Sequence, residues 1–174
     1  LYIYPGSAFG TGYHESTQIV LTLLERSVVP GGEAADIGAG SGILSIAAVK
    51  LGARHVRARD LDPAVLSEIS HNLGLNDIQS GTVDLEEGNL LDGMDDTVDL
   101  LMANIIIEPL LQMLPRVPSR LKKGGRALFS GLLSKERERF CAALEQTGLR
   151  VVDELSLGDW WGVAVEAYAA PSRG

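Results

Sequence analysis

The chain has a single cysteine, Cys141. No internal disulfide framework can form, which excludes the small stapled scaffolds of secreted proteins and suits a reducing compartment. We expect a cytoplasmic protein. Cys141 lies in RFCAALEQTG, on the apolar side of an expected helix, and reads as a packed thiol rather than a nucleophile. No apolar run approaches the ~20 residues that span a bilayer, and no signal peptide is visible, so no membrane role is expected. Positive charge is scarce: 15 Lys and Arg stand against 23 Asp and Glu, a net charge of -8. That argues against a general nucleic-acid binder, which carries a basic field, and leaves room for a basic protein partner. The three histidines, His14, His55 and His71, have no metal-ligand spacing, and we expect no metal site.

What is present is an ordinary globular composition, 45% apolar and 22% charged over 174 residues, enough for one domain with a sizeable core. The chain opens on Leu1 and is already in motif-like sequence by Pro5. We expect an excised or trimmed domain whose upstream neighbour is missing.

Residues 1–13 read as a loop, and residues 14–29 as a helix starting near Ser16 or Thr17 and ended by PGG. EAADIG is a strand. SGILSIAAVKLG is a helix stopped by Gly52, and RHVRARDLD a strand ending near Asp60. In DPAVLSEISHNLGLN, Asp62 is the N-cap and Pro63 the first helical residue. GTVDLEEGN and TVDLLMANI are strands. EPLLQMLPRVPSRLKKGG is a helix interrupted by Pro115 and Pro118. GRALFSGLL is a strand, SKERERFCAALEQTG a helix, and the stretch from Leu149 an antiparallel pair around GD. Strands alternating with helices of this length predict an α/β fold, a mostly parallel sheet covered on both faces. The final PSRG is expected to be a loose tail.

The segment DIGAGSGILSIAA sets Gly38, Gly40 and Gly42 between the first strand and its helix. In an open parallel sheet that is the ligand edge, and glycine lets a ligand approach a sharply turned backbone. A dinucleotide wants G-x-G-x-x-G, and here Ile43 occupies the last glycine position. The sign of Asp36 discriminates further. A carboxylate beside the loop repels pyrophosphate and attracts an ammonium or a sulfonium. At ~4 Å such a charge pair is worth roughly 4 kcal/mol at an effective dielectric of 20. The ligand that fits is S-adenosylmethionine. Its ribose calls for an acid about 20 residues on, and Asp60 lies 22 residues after Gly38. Asp62 takes the capping role, leaving Asp60 free.

With AFGTGYHEST ahead of DIGAGSGILSIAA, DLDP after it, and ANI…EPL further on, the chain resembles the ribosomal protein L-eleven lysine methyltransferases, the PrmA family of class I S-adenosylmethionine enzymes. The resemblance runs from Pro5 to about Val165. It implies a Rossmann-like, seven-stranded, mostly parallel sheet with an antiparallel last strand, in a single catalytic domain over residues 1–174. It implies that Thr17, Gly38, Asp60 and Asn104 touch the cofactor, together with Leu61 of DLDP, and that Phe9, Gly10, Thr11 and Gly12 form a loop covering it. The chain departs in reading YHEST where the family usually has THPTT, and IIIEP after Asn104. The family's separate N-terminal substrate domain is absent from this sequence.

Methyl transfer from a sulfonium is an in-line displacement that needs alignment and dryness rather than an acid, so the lack of a catalytic triad is expected. Asn104 is the candidate catalytic residue: its carboxamide can accept a hydrogen bond from an amine and aim the lone pair. The following NIII lacks the Pro-Pro-aromatic run suited to planar acceptors and favours an aliphatic amine. Two roles are open to Glu108, relieving a lysine ammonium of its charge or opening a helix. Two are open to Asn89, a contact to adenine or a turn, and two to His14, shaping the pocket or packing at a helix start. Of Trp160 and Trp161, strand alternation buries one and frees the other for a lid or a docking face. The leading expectation is a protein-lysine methyltransferase acting on a ribosomal protein. The alternatives are methylation of another protein or a small amine, and an idle cofactor-binding module.

Overall fold

The computed structural model describes residues 1–168; the expected tail at 171–174 lies outside them. Helix α1 is Glu15–Ser27. The helix begins just before Ser16 and Thr17, capped by His14, whose extended backbone brings Nδ1 within 3.1 Å of the Ser16 amide it accepts from. With His14 as the cap, the helix carries Ser16 and Thr17 in its first turn, both buried. Strand β1 (Glu33–Ile37) leads through the glycine loop into α2 (Ile43–Lys50), and β2 (His55–Asp60) into α3 (Pro63–Leu75). Asp62 caps α3 through the Ala64 amide, 2.9 Å away, as the Asp-Pro start predicts.

Strands β3 (Val83–Glu87) and β4 (Val98–Asn104) follow. The helix after β4 is shorter than its sequence suggests. Helix α4 covers Ile107–Met113 and continues as two 3-10 turns, Leu114–Arg116 and Pro118–Arg120. Proline lacks the N–H an α-helix needs, and Leu121 instead pairs with Val98 to begin β5 (Leu121–Leu133). After a 3-10 turn at Ser134–Glu136 come α5 (Arg137–Glu145), β6 (Leu149–Leu157) and β7 (Trp160–Ala167).

The seven strands form one sheet in the order β3-β2-β1-β4-β5-β7-β6. Strands β1 to β5 are parallel and β7 runs antiparallel to both β5 and β6. This is the Rossmann-like arrangement of class I methyltransferases. Alternate residues of the central strands point to opposite faces. Ala34, Leu100, Leu128 and Ala164 pack under Ile19, Leu23 and Leu44. Ala35, Leu101, Phe129 and Val163 pack under Leu110, Phe140 and Leu144. Trp161 is buried in the second layer, its Nε1 donating to Glu154 at 2.9 Å, while Trp160 is only half-buried. Cys141 packs against the same layer, where burial pushes its thiol pKa up. The strand order reverses between β1 and β4, and such a switch point opens a crevice at the carboxyl ends of the strands.

Candidate functional site

That crevice is a cavity of about 690 Å³, within the range of small-molecule sites. Of the expected cofactor residues, Phe9, Gly10, Asp36, Gly38, Gly40, Asp60, Leu61, Asn89 and Asn104 line it. Thr11, Gly12, Thr17 and Gly42 are outside the lining. Gly42 stands at the start of α2 with φ +81°, and a Cβ there would sit 2.8 Å from Ile69. Its need for glycine is therefore helix packing and backbone conformation. Thr17 is buried behind the wall, where its Oγ1 accepts from Asn104 Nδ2 at 3.3 Å.

Each strand end presents one polar group. Asp36, near the end of β1, is buried, and its Oδ2 accepts from the Ser45 amide (3.1 Å) and hydroxyl (2.7 Å). Burial pushes its pKa up to about 6, against the pull of the Ser45 hydrogen bonds and with a small push from the Asp60 charge. Asp36 is still mainly ionised at neutral pH, so the negative first turn is present but sits beneath the loop. Asp60, ending β2, is held by two backbone donors, Gly40 N–H on Oδ2 (2.9 Å) and Asp62 N–H on Oδ1 (3.0 Å). A carboxylate has about four lone-pair sites, so these bonds orient it and leave acceptor capacity. Asn104, ending β4, uses Nδ2 on Thr17, and its Oδ1 is buried with no hydrogen-bond partner among the described residues.

His14 takes both roles left open to it. It caps α1, and it lines the cavity between Phe9 (ring centroids 5.3 Å) and Trp160 (4.6 Å). Glu108 is outside the lining, with both oxygens taken by Arg139 at 2.7 and 3.1 Å. The Arg139 guanidinium holds its carboxyl below the usual range, and it sits in the first turn of α4, the helix-opening role.

Three contributors escape a reading by motifs. Arg59 is buried and donates to the carbonyls of Leu90 (2.9 Å) and Asp92 (2.7 Å), fixing the loop that carries Asn89. Its neighbour Gly88 leaves room for that guanidinium. Ser41 ties the glycine loop to the N-terminal segment, its amide donating to Phe9 O at 3.0 Å and its hydroxyl to Gly10 O. Glu68 and Asn72 on α3 and its C-cap Asn76 hold the same segment. The available signal is their spacing of four, which aligns them on one helix face.

The residues present fit S-adenosylmethionine. An oriented carboxylate suits ribose hydroxyls, and a buried carboxylate suits a cationic end.

The family model described as ribosomal protein L11 methyltransferase (PrmA) matches residues 1–167. The chain is 42% identical over 156 residues to the ribosomal protein L11 methyltransferase of Bacillus subtilis, covering 90% of this chain and 50% of that protein. It is 38% identical over 161 residues to the enzyme of that name from Lactobacillus gasseri, covering 92% of this chain and 50% of that protein. Its fold is similar to the crystal structure of a ribosomal protein L11 methylase from Lactobacillus delbrueckii subsp. bulgaricus. There the TM-score is 0.89 at 35% identity, covering 95% of this chain and 83% of that one. The chain thus spans about half the length of the curated relatives it matches.

Proposed function

The chain belongs to the ribosomal protein L11 methyltransferase (PrmA) family, and from that premise we propose that it moves a methyl group from S-adenosylmethionine to a lysine-type amine of a ribosomal protein, L11 itself being the first candidate. The cofactor supplies the electrophilic methyl group and leaves as a neutral thioether, so no side chain has to protonate it. The protein's tasks are to hold the cofactor, orient the amine and keep water out.

Asp60, Leu61 and Asn89 would hold the ribose and adenine, and Gly38 and Gly40 would let the loop close on the cofactor. Asp36 would balance its positive end. The observation that carries the reading is the orphaned Oδ1 of Asn104. An unsatisfied buried acceptor costs about 1–3 kcal/mol, and an amine N–H relieves it. We assign that N–H to the incoming amine, because Ile105, Ile106, Pro109 and Trp160 line the same cavity as Asn104. An apolar wall suits the methylene stem of a lysine and disfavours its charged form. An entering ammonium would give up its proton to solvent at the mouth of the cavity, and Asn104 would aim the neutral amine's lone pair at the methyl group that the cofactor supplies.

The test is incubation of the chain with S-adenosylmethionine and purified ribosomal protein L11, followed by mass spectrometry. We expect one or more methyl groups on amine nitrogens of L11. Cofactor binding without transfer to L11 or to any protein of a cell extract would leave an idle binding module. Transfer to a different protein would keep the chemistry and replace the substrate.

A further inference from the structure

Residues 1–6 belong to no helix or strand, yet backbone groups of Tyr2, Tyr4, Ser7 and Ala8 are bonded by a row of side chains. Tyr2 N–H donates to Asn76 Oδ1 at 2.8 Å, and Asn76 Nδ2 donates back to Tyr2 O. Tyr4 N–H donates to Asn72 Oδ1 at 2.9 Å. Ser7 N–H and Ala8 N–H donate to the two oxygens of Glu68 at 3.1 and 3.0 Å, and the Ser7 hydroxyl adds a further bond. The spacing explains the match. Four residues of α-helix rise about 6 Å, and two residues of extended chain span about 6.6 Å. Asn76 and Asn72 therefore meet alternate residues, Tyr2 and Tyr4. Between Tyr4 and Ser7 the chain has an extra residue, taken up by a tight turn in which Gly6 N–H donates to Tyr4 O at 2.8 Å. A Cβ at Gly6 would lie 2.5 Å from Glu68 Oε2, so a larger residue there would push the carboxylate off its amides.

The helix row thus acts as a template for the strap, and the strap is a wall of the cavity. Ser7, Ala8, Phe9 and Gly10 line it, while Glu68, Asn72 and Asn76 do not. Asn72 also donates through Nδ2 to Ser41 O at 2.8 Å, and Ser41 in turn holds Phe9 O and Gly10 O. The glycine loop and the strap are therefore registered against one helix. A Cβ at Gly40 would meet Phe9 O at 2.6 Å, so the two segments are in direct contact as well.

We propose that Glu68, Asn72 and Asn76 are positioning residues for the cofactor site: they anchor residues 2–8 and so hold Ser7 to Gly10 in the cavity wall, so that strap docking and cofactor binding strengthen each other. The inference rests on the cofactor reading above and adds to it the helix that keeps the wall in place. Coupling of this kind is reciprocal. Cofactor should slow amide exchange along the strap, and loosening the strap should weaken cofactor binding.

Glu68 is the residue to vary, because it is half-buried at the surface whereas Asn72 and Asn76 are buried. The experiment compares wild type, Glu68→Ala and Glu68→Gln by calorimetry with S-adenosylhomocysteine, by hydrogen exchange of Tyr2, Tyr4, Ser7 and Ala8, and by thermal unfolding. We expect Glu68→Ala to raise the dissociation constant at least about fivefold. It should lose protection at Ser7 and Ala8, with little change in the apo thermal midpoint. Glu68→Gln, which keeps one acceptor, should recover part of both losses. Unchanged affinity in Glu68→Ala, or strap amides indifferent to ligand in wild type, would overturn the inference alone. Failure of the wild type to bind S-adenosylhomocysteine would instead overturn the cofactor reading, and this inference with it.

Discussion

Where the strands begin, polar groups answer one another. Lys122 lies 3.1 Å from both Glu33 and Asp99, Arg54 reaches the other oxygen of Glu33, and Asp99 also accepts from the Glu33 amide at 2.8 Å. Lys122 holds the Glu33 carboxyl below its usual pKa, the Glu33 amide and Lys122 do so for Asp99, and the two acids raise Lys122. Where the strands end, the same sheet carries a carboxylate pushed up to about 6 and a carboxamide oxygen with no partner. Both ends lie on one scaffold with comparable side chains available. One set is closed on itself and stabilises the fold. The other leaves one acceptor open, Asn104 Oδ1, at some expense in stability, and an open polar group at a strand end marks a place that waits for a ligand.

The comparison breaks most sharply at Asn104. Asn104→Ala should lower the rate of methyl transfer to L11 about a hundredfold, with only a small change in thermal midpoint, since removing an unsatisfied acceptor offsets the loss of the bond to the buried Thr17 hydroxyl. A fall in stability with activity retained would put Asn104 among the structural groups of the other end.

Asp36 gives a pH signature. Its folded pKa lies above its ordinary value of 3.8, so between pH ~4 and ~6 the native state binds more protons than the unfolded state. On this group's account, stability is therefore greatest below about pH 4, falls as pH rises through that window and is flat above it. A displacement of this size corresponds to roughly 2–3 kcal/mol. Asp36→Asn should be more stable than wild type at pH 7.5 in urea titrations, with the difference shrinking towards pH 4. The variant should bind S-adenosylmethionine more weakly. In wild type that affinity should drop as pH falls through about 6, and affinity for the uncharged-sulfur product should drop less.

The smallest effect belongs to the closed end. Lys122→Met should lower the thermal midpoint slightly, by an amount that added salt shrinks, and leave methyl transfer unchanged. Lost activity there would mean that the two ends are coupled through the sheet.

How far these ends could be read in advance depends on distance along the chain. The β1–loop–α2 unit, the Asp-Pro start of α3 and the placing of Asp60 and Asn104 at strand ends depend on neighbours a few residues away, so turn chemistry and periodicity expose them. The cap on α1 escaped because an imidazole nitrogen stood in for the usual hydroxyl, and the end of α4 because Leu121 found its partner on β4. Thr17 shows the limit most clearly. The family resemblance assigns it to the cofactor, and only the fold shows that its Oγ1 accepts from Asn104, a residue 87 positions away.

The order of amino acids alone therefore determined the alternating elements, the bare glycine turn and the supply of acids near it, because each is specified by steric and hydrogen-bonding preferences of adjacent residues. Only the tertiary structure decided which polar atoms are satisfied and which remain open: Arg59 clamping a distant loop, α3 templating the strap, Asn104 keeping one oxygen free. Those outcomes depend on partners brought together by the winding of the sheet, and no local preference encodes them.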